Sequence, residues 1–234
     1  MPLEMKENLL TYWTITGRGH QNVLLLHCTM GYSGAWKALI ENLPCDRRFL
    51  AFDLPGHGKS EPWLDQGDFH TISTNIAKSF LKHPTDLIGH SYGGTIAVRL
   101  ALEVPEMVRS MVLIEPVLLN LAFRDDPSLK TKYEKEHRAF EDAWRLGDFE
   151  GAAQAFSKHW GDGSKWKDLP RRVKDLMIQK IPMIKAGEHN VVGDHYGFSE
   201  LGRLSSIQIP VLLMEGTKTH NSIPATNCSI QRRL

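Results

Sequence analysis

Two patterns of apolar residues alternate along the chain. Short, nearly continuous apolar runs are typical of buried strands, and they occur at 23–26, 49–52, 111–114 and 211–214. Residues 85–88 form a further short, strand-like run. Apolar residues at helical spacing lie between these runs, at 33–43, 72–81 and 94–102. Residues 9–16, rich in Thr, Tyr, Trp and Ile, are predicted to form an edge strand. Strands that alternate with helices predict an α/β fold with a mostly parallel central sheet flanked by helices.

A long helical segment separates the last two predicted strands and is too long for an ordinary connection. We expect residues 1–116 to form the first part of an α/β core, 117–208 to form a helical cap insertion, and 209–234 to form the C-terminal part of the core. Charges of alternating sign between Tyr133 and Arg145 predict a solvated helix face.

Composition and charge narrow the function classes. The chain has 234 residues, 41% hydrophobic and 24% charged, with a net charge of +1. These values are ordinary for a soluble globular domain and give no reason to expect a nucleic-acid or membrane partner. Three cysteines (Cys28, Cys45 and Cys228) cannot all pair, and their spacing fits no metal site. With no apolar leader or membrane-length run, we expect a reduced, cytoplasmic protein of unassigned oligomeric state.

The pentapeptide Gly89-His90-Ser91-Tyr92-Gly93 carries the strongest chemical signal. A Gly-x-Ser-x-Gly motif between a strand and a helix forms a sharp turn that exposes the serine hydroxyl, and glycine on both sides relieves the resulting collisions. The helix N-terminus beneath the serine favours a developing anion, and the backbone N–H of Tyr92 can donate to it. We therefore predict that Ser91 is a nucleophile.

Two further loops match a known family in the expected order. His27-Cys28-Thr29-Met30-Gly31 follows one predicted strand, and the stretch from Asp53 to Ser60, DLPGHGKS, follows the next. Together with the elbow at Ser91, these loops resemble the α/β-hydrolase superfamily and its capped, esterase-like members. The resemblance implies an oxyanion hole formed by the N–H groups of Thr29 and Tyr92. It implies a small-molecule substrate and neither a metal nor an organic cofactor.

Two departures from the family pattern affect the other catalytic residues. The turn at 216–219 has Thr219 where the resemblance implies a catalytic aspartate, so Glu115, at the end of the strand after the elbow helix, is predicted to be the acid. None of the chain's histidines follows an eighth strand. The chain ends at Leu234 without a helix stop signal, and we expect the last strand and helix, with the catalytic histidine, to lie beyond it. His220 is an alternative base.

The sequence thus predicts a serine hydrolase that cleaves a small ester, thioester or related acyl substrate through an acyl-enzyme on Ser91. Two alternatives stay open. One is a carbon–carbon bond hydrolase or cofactor-free haloperoxidase-like enzyme of the same fold. The other is a non-catalytic ligand-binding protein on a hydrolase fold, because the chain lacks an evident base.

Overall fold

The computed structural model describes residues 2–43, 46–65 and 67–234. Within these ranges, seven strands form one sheet in the order β1-β2-β4-β3-β5-β6-β7. The strands are β1 (Leu3–Lys6), β2 (Leu9–Thr16), β3 (Gln21–Leu26), β4 (Arg47–Phe52), β5 (Thr85–His90), β6 (Val108–Ile114) and β7 (Val211–Met214). Strands β1, β2 and β4 pair antiparallel, whereas β4, β3, β5, β6 and β7 pair parallel. The fold is the predicted α/β fold with a mostly parallel sheet.

Strand β2 is not the edge strand that its sequence predicts. It lies between β1 and β4, and β1 occupies the edge. The sequence LEMK of β1 carries two charges in four residues and has no run of β-branched or aromatic residues, so it gives no strand signal. Its pairing with β2, which places Met5 opposite Leu10, supplies the missing stabilisation.

Eight α-helices accompany the strands in the described part of the chain. They are α1 (Lys37–Glu41), α2 (Phe69–Ser79), α3 (Tyr92–Glu103), α4 (Leu119–Asp125), α5 (Pro127–Arg145), α6 (Phe149–Trp160), α7 (Arg171–Val191) and α8 (Ser222–Gln231). The helix predicted over 33–43 is shorter, because its first four residues form a 3-10 turn. Helix α2 begins three residues before its predicted start, where Asp68 Oδ1 accepts a hydrogen bond from Thr71 N at 2.6 Å and caps the helix.

The segment between β6 and β7 is helical, as its pattern predicts, and contains α4 to α7. Phe140, Ala152, Ala153 and Ile181 form a buried cluster where α5, α6 and α7 meet. The charges of α5 were predicted to form a solvated helix face, but at least one of them faces a neighbouring helix. Lys185 of α7 is only half-exposed, and its Nζ lies 2.7 Å from Glu141 Oε1 on α5. Charge alternation reports helical spacing but not which charges face a neighbouring helix.

Two of the cysteines are free thiols, Cys28 half-buried and Cys228 exposed. Cys45 lies outside the described residues. No helix in the described ranges combines the length and apolarity needed to cross a membrane.

Candidate active site

Ser91 occupies the sharp turn between β5 and α3. Its backbone has φ 53° and ψ −115°, in the positive-φ region that a non-glycine residue rarely adopts. Two backbone hydrogen bonds hold the turn: Ser91 N donates to Ile114 O at 2.9 Å, and Gly94 N donates to Ser91 O at 2.9 Å. This is the strained conformation that the sequence motif predicts.

The flanking glycines are required by the close approach of backbone on both sides of the elbow. A Cβ on Gly93 would lie 2.1 Å from the carbonyl oxygen of Leu26 on β3. A Cβ on Gly89 would lie 2.6 Å from the carbonyl oxygen of Gly93. Because both obstacles are backbone atoms, they cannot move aside as a side chain could.

Ser91 opens into a cavity between the sheet and the helical segment. The cavity has roughly 840 Å³ of free space, its mouth included. The sheet side contributes Cys28, Thr29, Met30, His90, Ser91, Tyr92, Glu115, Val117 and Ile223. The helical side contributes Tyr133, His137, Phe156, Trp160, Ile184, Gly187, Glu188 and Val191. The structure therefore brings together all four predicted site residues, Ser91, Glu115, Thr29 and Tyr92, around one largely apolar space.

The backbone of Tyr92 lies at the N-terminus of α3, whereas its side chain packs against α7. It is the first residue of α3, so its N–H belongs to the free donors of a helix N-terminus. Its ring is almost fully buried and lies against Gly187 of α7, where a Cβ would come within 2.7 Å of Tyr92 Cε2. The buried ring fixes the first turn of α3 beneath Ser91.

The loop that carries Thr29 is held by two buried histidines. His57 Nε2 contacts the carbonyl oxygen of Thr29, and His57 Nδ1 lies 2.8 Å from Pro55 O. His27 Nε2 accepts a hydrogen bond from Leu54 N at 3.0 Å. Burial lowers the pKa of both rings, that of His57 to about 4. These histidines bind backbone groups and position the loop.

Asp53 supports the same region from inside. Its carboxylate is buried and accepts hydrogen bonds from Ser33 N at 2.5 Å and from Lys59 N at 2.8 Å. A Cβ on Gly58 would lie 2.0 Å from Asp53 Oδ2, so the loop wraps closely around the carboxylate. The side chain thus stabilises the DLPGHGKS loop.

Glu115 lies at the carboxyl end of β6 and reaches the loop that follows β7. Its Oε1 accepts a hydrogen bond from Gly216 N at 2.9 Å, and its own N donates to Met214 O at 2.8 Å. Gly216 opens the turn that ends at Thr219, whose N donates to Gly216 O at 3.2 Å. The carboxylate of Glu115 is therefore bound to the turn in which Thr219 replaces the expected aspartate.

His90 and Cys28 form an interacting pair in the cavity wall. Burial lowers the pKa of His90, but its hydrogen bond with Cys28 and the charges of Cys28 and Glu115 outweigh burial and raise it. Burial raises the pKa of the Cys28 thiol, yet the same hydrogen bond and the charge of His90 lower it overall. His90 is thus engaged with Cys28.

His220 lies outside the cavity wall. Its Nε2 is 3.2 Å from Glu136 Oε2, and its Nδ1 is 2.7 Å from Ser222 Oγ. Its ring stacks on Trp160 with the centroids 4.6 Å apart. Within the described ranges, no histidine is hydrogen-bonded to the hydroxyl of Ser91, His220 included.

The sequence interpretation did not identify His137 and Glu188, which line the cavity opposite the elbow. His137 Nε2 lies 3.2 Å from Glu188 Oε1, and its ring stacks between Tyr133 and Phe140. Burial raises the pKa of Glu188, but His137 and Lys185 outweigh it and keep the carboxylate charged. In the sequence, His137 and Glu141 are four residues apart, which places them on one face of α5. This spacing does not show whether that face is directed to the cavity.

Comparisons with known proteins identify the family to which this fold belongs. The family model for the alpha/beta hydrolase fold matches residues 21–221, so the chain belongs to the α/β-hydrolase fold family. An alpha/beta hydrolase from Sphaerobacter thermophilus superposes with a TM-score of 0.67 at 16% identity, covering 98% of this chain and 87% of that one. At that identity the likeness supports the fold alone.

Two curated relatives have more specific names. A Bacillus subtilis protein assigned by name as a 2-succinyl-6-hydroxy-2,4-cyclohexadiene-1-carboxylate synthase is 29% identical over 212 residues, 83% of this chain and 72% of that protein. The pimeloyl-[acyl-carrier protein] methyl ester esterase of Nitrosomonas europaea is 37% identical over 100 residues, 42% of this chain and 38% of the esterase. Much of the esterase thus lies outside the match.

Proposed function

We propose that this protein is a serine hydrolase that cleaves a small, largely apolar ester, thioester or related acyl compound, with Ser91 as the nucleophile. The observation that carries the proposal is the positive-φ elbow that presents Ser91 to a cavity also lined by Thr29, Tyr92 and Glu115. A strained serine above a helix N-terminus suits attack on a carbonyl carbon. The apolar residues of the helical side favour an uncharged acyl group.

The reaction begins when Ser91 Oγ attacks the carbonyl carbon and loses its proton to a general base. The oxygen of the tetrahedral intermediate accepts hydrogen bonds from the N–H groups of Thr29 and Tyr92, each worth about 3–4 kcal/mol in the transition state. Collapse expels the alcohol or thiol, which takes up a proton, and leaves an acyl-enzyme. Water then attacks the acyl group and restores Ser91.

Glu115 is the proposed acid that orients the base. Its carboxylate lines the cavity and is fixed by Gly216 N, beside the turn that carries Thr219. A carboxylate held there can receive the N–H of an imidazole and stabilise its protonated form. Because no described histidine is hydrogen-bonded to Ser91, the proton acceptor is assigned only by its chemistry, as an imidazole.

A serine-reactive fluorophosphonate probe tests the nucleophile. We expect the probe to label the protein stoichiometrically and Ser91→Ala to abolish labelling, because phosphonylation requires the hydroxyl. Cys28→Ala is the matched control, since Cys28 is the other nucleophilic side chain of the same cavity and its loss should leave labelling intact. A folded Ser91→Ala variant that still labels, or a wild type that does not, would overturn the assignment.

Glu115→Gln tests the role of Glu115 as the acid with little disturbance of the structure around it. The amide keeps an oxygen that can accept the hydrogen bond from Gly216 N but loses the negative charge. We expect turnover of a p-nitrophenyl ester to fall about 10²–10⁴-fold. Glu215→Gln removes a carboxylate that lies outside this cavity, and it should keep wild-type turnover. Full activity in Glu115→Gln would mean that Glu115 is not the acid.

The name of the Bacillus subtilis relative favours a second candidate reaction. That protein is named a synthase, and the match covers 83% of this chain and 72% of that protein. The same elbow and cavity are therefore also candidates for a synthase reaction. Release of an acyl product from a p-nitrophenyl ester by wild type, absent in Ser91→Ala, would favour the hydrolase.

A further inference from the structure

A second cluster of polar side chains lies behind Trp160, outside the cavity. Glu136 lies on α5, His159 lies in the last turn of α6, and His220 lies in the loop between β7 and α8. One donor atom from each residue falls within 4.8 Å of the others. The edge-on imidazole rings of His159 and His220 have centroids 6.3 Å apart with an interplanar angle of 82°.

Two imidazoles and one carboxylate are a donor set that suits borderline metal ions such as Zn²⁺. In a tetrahedral zinc site the ligand atoms lie about 3.3 Å apart, given bonds of about 2.0 Å. His220 Nε2 and Glu136 Oε2 are already 3.2 Å apart. We propose that Glu136, His159 and His220 form a binding site for a divalent transition-metal ion, with Zn²⁺ as the representative ion.

The surroundings of His220 support a ligand role. Nδ1 of His220 is held by Ser222, whose N donates to it at 3.3 Å and whose Oγ lies 2.7 Å away, so Nε2 is the ring nitrogen that faces Glu136 and would bind the metal. Stacking on Trp160 fixes the plane of the ring. All three ligand residues are half-buried, so the site has an open side where water can complete the coordination.

The charge balance also favours this cluster over its neighbour. His137, Glu141 and Glu188 likewise have donor atoms within 4.8 Å. There, however, Lys185 Nζ already binds both carboxylates, at 2.7 Å from Glu141 Oε1. Among the described residues, the one ion-pair partner of Glu136 is His220 itself. A metal ion would therefore have to displace the Lys185 ammonium group from Glu141 and Glu188. At Glu136 it would displace no lysine or arginine of the described ranges.

A bound ion would join α5, α6 and the loop after β7. Two ligands belong to the helical segment between β6 and β7, and the third belongs to the loop after β7. Trp160, next to His159 in sequence, lines the Ser91 cavity and stacks on His220. The metal would thus fix the helical segment against the core beside the cavity wall.

Titration of the full chain with ZnCl₂ by isothermal calorimetry tests the site. We expect one Zn²⁺ per chain in the wild type and at least tenfold weaker binding in Glu136→Gln. Glu141→Gln is the matched control, because it makes the same substitution on the same helix in the other cluster and should bind like wild type. Equal Zn²⁺ affinity in Glu136→Gln and Glu141→Gln, or no binding by wild type, would overturn the proposal.

Two further measurements identify the ligands. Ser222→Ala should weaken Zn²⁺ binding about tenfold, as loss of an outer hydrogen bond to a ligating histidine does. Co²⁺ in place of Zn²⁺ should give visible absorption bands of a nitrogen and oxygen site, and these should be lost in His220→Asn with its circular dichroism spectrum unchanged. A thiolate-to-metal charge-transfer band would instead place the ion on a cysteine and refute the assignment.

Discussion

At the scale of single residues, the contact behind Ser91 leaves no room for a methyl group at Gly93. The Cβ of an alanine there would lie 2.1 Å from the carbonyl oxygen of Leu26, so β3 and α3 would have to separate. We expect Gly93→Ala to lower the free energy of unfolding by about 2–4 kcal/mol, measured by urea denaturation.

Gly94→Ala is the control for this prediction. The nearest atoms to its Cβ would be Pro116 Cβ at 3.1 Å and Pro116 Cα at 3.3 Å, so Pro116 must shift by a few tenths of an ångström. The preference of the helix for alanine, up to about 1 kcal/mol, offsets this cost, so we expect a much smaller change than for Gly93→Ala. A Gly93→Ala protein as stable as Gly94→Ala would show that β3 and the elbow can move apart freely.

The positions of the residues around Ser91 could be predicted from the sequence to different extents. Gly89, Ser91 and Gly93 act through backbone conformation within one short turn, so the local motif predicted their geometry. Glu115 could be placed at a strand end, but its bond to Gly216 depends on two segments that are distant in sequence. His137 escaped prediction because its position in the cavity depends on how α5 rotates against the core, which one helix's sequence does not specify.

At the scale of secondary-structure elements, Asp68 joins the start of α2 to the helical segment. It caps α2 through Thr71 N, contacts the hydroxyl of Tyr196, and lies 2.8 Å from His189 Nε2. We expect Asp68→Ala to cost about 3 kcal/mol of unfolding free energy, because the helix cap and two tertiary partners are lost together.

Asp148 offers a comparison, because among the described residues its side chain makes the helix-cap hydrogen bond and no other. It caps α6 by accepting a hydrogen bond from Gly151 N at 2.8 Å. Asp148→Ala should therefore cost about 1 kcal/mol in the same urea denaturation. Equal losses in the two variants would mean that the contacts of Asp68 with Tyr196 and His189 add nothing to stability.

The predicted strands and helices were correct where the spacing of apolar residues in the sequence matches the burial of those residues in the fold. β3 and β5 were predicted as strands and lie in the middle of the sheet. β7 was also predicted as a strand, but it is the last strand of the described sheet, where Leu212 and Met214 are exposed. β1 was missed because its pairing with β2, and not its local pattern, decides it. The 3-10 start of the helix at 33–43 was also missed. The division of the chain at 117 and 208 stays a prediction.

At the scale of the whole molecule, acid stability should depend on a buried histidine. His70 lies on α2 and is fully buried, and Nη1 of Arg99 on α3 donates to its Nδ1 at 3.1 Å. Burial, followed by the charge of Arg99, lowers the pKa of His70 from 6.5 to about 3. Between these pH values the unfolded chain binds a proton that the folded protein does not, so acid favours unfolding.

We therefore expect His70 to contribute a fall in unfolding free energy of up to about 1.4 kcal/mol per pH unit as the pH drops below 6.5. His70→Gln should show a shallower decline than wild type between pH 6 and 4 in urea denaturation. His83→Gln, at an exposed position, should follow the wild-type curve. Parallel curves for wild type and His70→Gln would contradict the expectation.

The two-sided cavity has a consequence for how such a protein can diverge. The elbow, the Thr29 loop and Glu115 come from the sheet side, whereas α5, α6 and α7 supply the opposite wall. Within residues 127–191, the side chains that face the cavity can therefore change while the sheet side keeps its backbone, provided that Gly187, which packs on the ring of Tyr92, stays a glycine. Under the proposed function, the type of reaction and the preference for a substrate are then encoded in separate stretches of the gene.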